Sequence, residues 1–203
     1  MVKAFDVEAR MAQVVGKSPR IGPVAVDDLN EEQLALISRL RGSLNSRKVD
    51  RIQEFFLVAV KHPALFRCQL ETGTMMFSGL IPKRDRELAI LRIAWLCGAP
   101  YEWGEHVDIA KRFDITAEEI ERTIEGSAAP GWSEHDAAIL RGVEELLDDK
   151  MVSDATWDVL AKSWSEPQLL EFPMLVGSYV STAFQQNTLR MRLEPENPGL
   201  GHR

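Results

Sequence analysis

Cysteine is nearly absent from the 203 residues: Cys68 and Cys97 stand alone, 29 positions apart. That count and spacing exclude a disulfide framework, a CxxC redox motif and a four-cysteine zinc site. Strand signals are missing too. No run of alternating apolar and polar residues lies between turns, and no Asn-Gly or Asp-Gly pair marks a hairpin. No apolar run approaches the ~20 residues of a membrane span. The opening stretch "MVKAFDVEARMAQVVGKSPR" has neither a continuous apolar core nor a small-residue cleavage site, so no secretory signal is read there. The expected location is the cytoplasm, with both thiols reduced. Positive charge is scarce: 24 Lys and Arg against 31 Asp and Glu leave a net charge of −7. Phosphate binding needs clustered Lys and Arg, so nucleic acid is not an expected partner.

What is present is helical. Apolar content of 45% with 27% charged residues suits a globular domain with a core of its own. The reading divides the chain into an extended N-terminal arm over 1–29, an all-α domain over 30–192 and a flexible tail over 193–203. Helix starts are marked by cap residues: Asn30 or Asp28, Thr116 with Glu119, Ser133 with Asp136, Ser153, and Ser165 with Gln168. "VDRIQEFFLVAVKHP" reads as a helix ending before Pro63, and "ALFRCQLETGTMMFSG" as the next one. Pro173 inside the last helix is expected to kink it.

The central pair of helices carries the chemistry. "KRDRELAILRIAWLC" follows Pro82 with an apolar stripe wide enough for a helix buried on most sides. Gly98 stops it and Pro100 opens the next, "PYEWGEHVDIA", so the two meet with almost no loop. Glu102 and His106, four residues apart, share a face and can meet. Glu87 lies in the apolar stripe of the preceding helix, where a carboxylate needs a partner or a raised pKa. Two carboxylates near one histidine is an arrangement for moving protons. Tyr101 can offer a phenolic hydrogen bond, and Arg92 a planar fork, to substrate oxygens. On spacing alone, a Glu and a His one turn apart are more often a solvated pair, and Glu87 can equally serve its helix N-terminus or pair with Arg84. Trp95 and Trp103 read as core or subunit-contact residues rather than as substrate stackers.

Residues 84–121, "RDRELAILRIAWLCGAPYEWGEHVDIAKRFDITAEEIE", resemble the carboxymuconolactone decarboxylase-like proteins, which share the AhpD-like all-helical fold. The flanking helices are compatible over roughly residues 30–192. In the peroxidase branch of that family, a CxxC dithiol is followed by three residues and a histidine, with a glutamate on the preceding helix. Here the histidine position is His106 and the glutamate position Glu87. Ala99 and Glu102 stand where the two cysteines would be, and Cys97 falls two positions before the first of them. A dithiol is what attacks a peroxide or a disulfide, so dithiol peroxidase activity is not expected.

The resemblance implies a cofactor-free acid/base enzyme, a decarboxylase or isomerase, acting on a small cyclic carboxylic acid or lactone. His106, Glu102 and Glu87 would be catalytic, Tyr101 and Arg92 would hold substrate, and no metal or cofactor is expected. It also implies a homotrimer or homohexamer. Three other readings stay open: peroxide handling by Cys97 or Cys68 alone, a metal held by Glu87, Glu102 and His106, and a non-catalytic oligomeric protein. His135, inside a helix first turn, is expected to be exposed.

Overall fold

The computed structural model describes residues 5–43 and 52–203. Among them are ten α-helices and no strand: α1 (Val7–Val14), α2 (Glu31–Ser43), α3 (Glu54–Ala59), α4 (Pro63–Phe77), α5 (Lys83–Leu96), α6 (Pro100–Lys111), α7 (Ala117–Glu125), α8 (Glu134–Asp148), α9 (Asp154–Leu160) and α10 (Glu166–Leu189). The start of the "VDRIQEFF" helix, residues 49–51, lies outside the described residues; the helix that is seen begins at Glu54.

The caps set most starts. Asn30 Oδ1 accepts from the Gln33 amide at 2.9 Å while Gln33 Oε1 accepts from the Asn30 amide at 3.0 Å. Thr116 and Glu119 form the same reciprocal box at the start of α7. Ser133 and Ser153 each accept from the amide three residues on, and Gln168 reaches back to the Ser165 amide at 2.7 Å. Each such cap contributes on the order of 1 kcal/mol. α10 runs as one 24-residue helix across Pro173.

α5 is the axis of the molecule, packed against α6, α7, α8 and α10. Every residue from Arg86 to Ala94 is buried, as an apolar stripe this wide requires. Leu88, Ile90, Leu91 and Ile93 are fully excluded from solvent, each contributing about 1.5–3 kcal/mol. α5 and α6 are joined through Cys97, Gly98 and Ala99 alone. Gly98 has φ +52°, a conformation that an L side chain adopts with strain. Arg10 of α1 locks this corner: its guanidinium donates to the carbonyls of Gly98 (2.8 Å) and Cys97 (3.0 Å).

Both chain ends differ from expectation. The arm over 1–29 contains α1 and a short 3-10 turn, Val26–Asp28, and its Phe5 packs on Trp95. The tail over 193–203 is docked rather than flexible. Leu200 is fully buried. The Trp103 indole donates to the His202 carbonyl at 3.0 Å, and Asn197 donates to the Tyr101 carbonyl at 3.0 Å. Gly104 makes room for this, because any Cβ there would collide with the Asn197 amide. Arg203 lies over the rings of Trp95 and Trp103. A polar, Pro- and Gly-rich tail orders here because α6 offers partners to Asn197, His202 and the Arg203 carbonyl.

Candidate active site

Two buried glutamates, one on α5 and one on α6, define the site by their opposite treatment. Glu87 is fully buried and fully partnered. Its Oε1 accepts from Arg86 Nε (2.9 Å) and Nη2 (2.8 Å), and its Oε2 bonds His106 Nδ1 at 2.7 Å. Burial alone would raise this carboxyl, but the charges and hydrogen bonds of His106 and Arg86 together outweigh it. The net shift is below the ordinary carboxylate range. Arg86 is itself held by the Phe77 carbonyl and lies over the Phe77 ring at 4.7 Å.

Glu102 is equally buried and has no partner. Neither carboxyl oxygen has a hydrogen bond among the described residues. With nothing to offset desolvation, its carboxyl is raised well above the ordinary range, so burial favours the protonated form. The expected Glu102–His106 pair therefore does not form. The helix spacing puts both on one face, but α5 packs closely enough on α6 for Glu87 to take the imidazole.

His106 has its Nδ1 engaged by Glu87, and its ring stands edge-to-face with Tyr179 of α10, centroids 5.2 Å apart at 83°. In the neutral imidazole, Nδ1–H donates to the carboxylate and Nε2 presents its lone pair. The side chain is 12% exposed. Two carboxyls driven apart in protonation beside one oriented imidazole form an acid/base pair.

Of the five residues picked out by spacing and resemblance, two are bonded to each other, Glu87 and His106; Glu102 lies one helical turn from His106 without a hydrogen bond to it. The other two do not join them. Tyr101 donates to Glu194 at 3.1 Å and packs with Val58 and Met191. Arg92 points the other way along α5, onto Glu144 Oε1 (2.9 Å) and the carbonyls of Thr123 and Ile124. Neither is available to a substrate oxygen in this arrangement. Tyr179 was not singled out by spacing. It lies 73 residues beyond His106 in the chain, and no local pattern links the two.

Cys97 follows the end of α5 with its thiol pushed up to about 12, by burial first, then by Glu102, against a smaller opposing effect of Arg10. It is a thiol, not a thiolate, at neutral pH. Cys68 is exposed on α4. Among the described residues no group of three or more His, Cys, Asp or Glu is placed to hold a metal ion. His135 is partly buried rather than exposed. Its Nε2 bonds Asp85 at 3.0 Å, and Asp85 also accepts from the Trp164 indole.

Residues 63–145 match the model of the Carboxymuconolactone decarboxylase family. This stretch carries Glu87, Glu102 and His106. No curated protein sequence matches the chain. Solved structures share the fold at low identity. The debrominase Bmp8 is 14% identical over 89% of this chain and 95% of its own, with a TM-score of 0.70. A cysteine-to-alanine variant of that debrominase is known in complex with 2,3,4-tribromopyrrole. The alkylhydroperoxidase AhpD core of a peroxidase-related protein from Ralstonia eutropha JMP134 is 14% identical over 88% and 95%, TM-score 0.71. A peroxidase-related protein from Silicibacter sp. TM1040 is 10% identical over 89% and 96%, TM-score 0.72. The fold is all-α and AhpD-like. No helix among the described residues is long and apolar enough to cross a membrane.

Proposed function

We propose that this protein is a cofactor-free acid/base enzyme, a decarboxylase or isomerase acting on a small cyclic carboxylic acid or lactone. The observation that carries this reading is the buried chain Arg86–Glu87–His106 beside a carboxyl, Glu102, that has no partner. His106 Nε2 would take a proton from carbon next to a carbonyl. Glu87, kept ionised by Arg86, would stabilise the imidazolium that forms and hold the ring in place. Glu102 would supply a hydrogen bond to the substrate oxygen as charge develops there. For loss of a carboxylate, the C–C bond would break with CO₂ as the leaving group, its electron pair passing into the carbonyl as an enolate, and His106, protonated beforehand from solvent, would supply the proton to that carbon. Positioned acid/base groups of this kind contribute about 10²–10⁴-fold each.

His106→Ala and Glu102→Gln should each lower turnover of candidate lactones and cyclic acids by about 10²–10⁴-fold with the helical circular dichroism retained. Normal turnover in both variants refutes the assignment. The low-identity likeness to a debrominase, known in complex with a brominated pyrrole, agrees with a small ring as ligand.

We further propose that the chain assembles as a homotrimer or homohexamer through α4 and α10. α4 buries only Phe66 and Met76 of its fifteen residues, while Leu65, Met75 and Phe77 are exposed. Leu170, Met174 and Phe184 stand out from α10, and a groove of about 460 Å³ with a mostly apolar lining runs between the two helices. Light scattering on the eluted protein tests this, and a monomer overturns it.

A further inference from the structure

The acid/base reading leaves the substrate's charge open, and the inventory of groups around His106 narrows it. Every arginine near the site is already engaged. Arg86 is on Glu87 and the Phe77 carbonyl. Arg84 is on Asp136 and Glu119, and Arg92 on Glu144 and two carbonyls. Arg10 is on the carbonyls of Cys97 and Gly98. α10 carries no Lys or Arg from Glu166 to Leu189. The polar groups that remain are different in kind. They include the Glu102 carboxyl, with both oxygens buried and unbonded, and beside it the Tyr179 phenol, whose ring meets that of His106. Tyr179 touches the His106 ring edge-to-face, and Glu102 sits one helical turn from it.

We propose that the substrate is an uncharged ring carbonyl compound, such as an unsaturated lactone, bound with its oxygen between the Tyr179 hydroxyl and the Glu102 carboxyl and its acidic C–H toward His106 Nε2. The assignment rests on the acid/base reading and selects, within it, isomerisation over decarboxylation. His106 Nε2 takes the proton from the carbon beside the carbonyl. The C–H electron pair becomes the new C=C of a dienolate, and the negative charge moves onto the carbonyl oxygen. Tyr179 and Glu102 donate hydrogen bonds to that oxygen. The imidazolium, whose Nε2 proton can trade with solvent before it is handed back, then returns a proton to the far carbon of the dienolate, so the double bond moves and the composition is unchanged. Burial, with Glu87 and Glu102 nearby, pushes the Tyr179 phenol up, and burial does the same to Glu102. Both therefore keep the protons that they must donate. A carboxylate in the same place would be desolvated with no free cation among these residues to meet it. Tyr179 is thus a catalytic residue in this scheme, while Arg86 and Glu87 are positioning residues.

The test follows proton exchange and isomerisation of α-angelica lactone by NMR in D₂O, alongside its 5-carboxymethyl counterpart, which differs by one carboxylate. Wild type should exchange the neutral lactone at least ~10-fold faster than the charged one. Tyr179→Phe keeps the ring against His106 and removes only the hydroxyl. It should slow exchange by about 10²–10³-fold, the usual effect of losing one oxyanion donor, with the His106 imidazole ¹⁵N signals unmoved. If Tyr179→Phe exchanges at the wild-type rate while His106→Ala is inactive, the role of Tyr179 is overturned and the base assignment stands. If His106→Ala exchanges normally, the acid/base reading itself fails. Preference for the carboxylated lactone, or exchange of neither, overturns the uncharged substrate class. Movement of the imidazole signals in Tyr179→Phe would reassign the residue to ring packing.

Discussion

Glu102→Gln offers the sharpest physical check, because its effect on stability has a pH signature that no packing change reproduces. In the unfolded chain the Glu102 carboxyl titrates in the ordinary range, near 4.3. In the fold it stays protonated well above that range, since burial is unopposed by any partner. Between the ordinary range and the folded value, unfolding therefore releases a proton. Stability falls with rising pH by about 1.4 kcal/mol per unit, from the ordinary range up to the folded pKa. Glutamine has no proton to lose, so the variant lacks this slope. Its buried amide finds no better partners than the acid, which adds a pH-independent offset of about 1–3 kcal/mol. The offset fixes which protein is more stable at pH 5.5; the slope decides how the gap changes. For a chain of this size about 2–4 °C of melting temperature accompanies each kcal/mol. The variant should thus gain on wild type by about 3–6 °C per pH unit over the range above the ordinary carboxylate values in which folded Glu102 holds its proton. Thermal melts followed by circular dichroism at pH 5.5, 6.5 and 7.5 measure it. All other titrating groups cancel in the difference. A constant gap across those three pH values would mean that Glu102 is ionised in the fold, and the acid/base assignment would go with it.

Three shorter predictions bear on the same framework. Glu87→Ala leaves Arg86 buried without its partner and should cost about 3–5 kcal/mol in urea denaturation; a loss below 1 kcal/mol would show that the pair is not buried. Because the folded Glu87 carboxyl is lowered, its contribution is present above the ordinary carboxylate range and lost as pH falls through the folded value. Iodoacetamide at pH 8 should label Cys68 and spare Cys97, whose thiol near 12 leaves roughly one thiolate in ten thousand; rapid double labelling by mass spectrometry would contradict the burial of Cys97. Deleting residues 198–203 strips Leu200 from the core and leaves the Trp103 indole without the His202 carbonyl, and should lower stability by about 3 kcal/mol or more; an unchanged melting temperature would show that the tail is not docked in solution.

What could be read from the sequence follows from how local each cause is. Helix starts at Asn30, Thr116, Ser133 and Ser153 are legible because the cap and the backbone amide that donates to it lie three residues apart. The burial of α5 is legible because its apolar residues wrap nearly the whole helix. The docked tail is not, because its order comes from Trp103, Tyr101 and Gly104, about 90 residues earlier. Tyr101 and Arg92 fail to reach His106 for a related reason. Closeness in sequence puts a residue near the site but does not choose its face. Tyr101 points toward α3 and Glu194, and Arg92 toward α8. Tyr179, which does reach His106, arrives on a helix that only tertiary packing brings there.

The two glutamates make the point most sharply. Both lie in apolar helices, both are excluded from water, and either could have been the partner of His106. The difference is Arg86. It is next to Glu87 in the chain and binds it through two nitrogens, so Glu87 can stay ionised and hold the imidazole. Glu102 has Tyr101 and Trp103 as chain neighbours and no cation at hand, so burial leaves it the proton. In the dithiol branch of the resembling family this position carries a cysteine, whose chemistry requires losing a proton. Here the same position carries a group that the fold compels to keep one. On the proposed reading the replacement therefore does more than remove a sulfur: it would change the site from one that stabilises an anion on the protein to one that donates a hydrogen bond to an anion forming on a ligand.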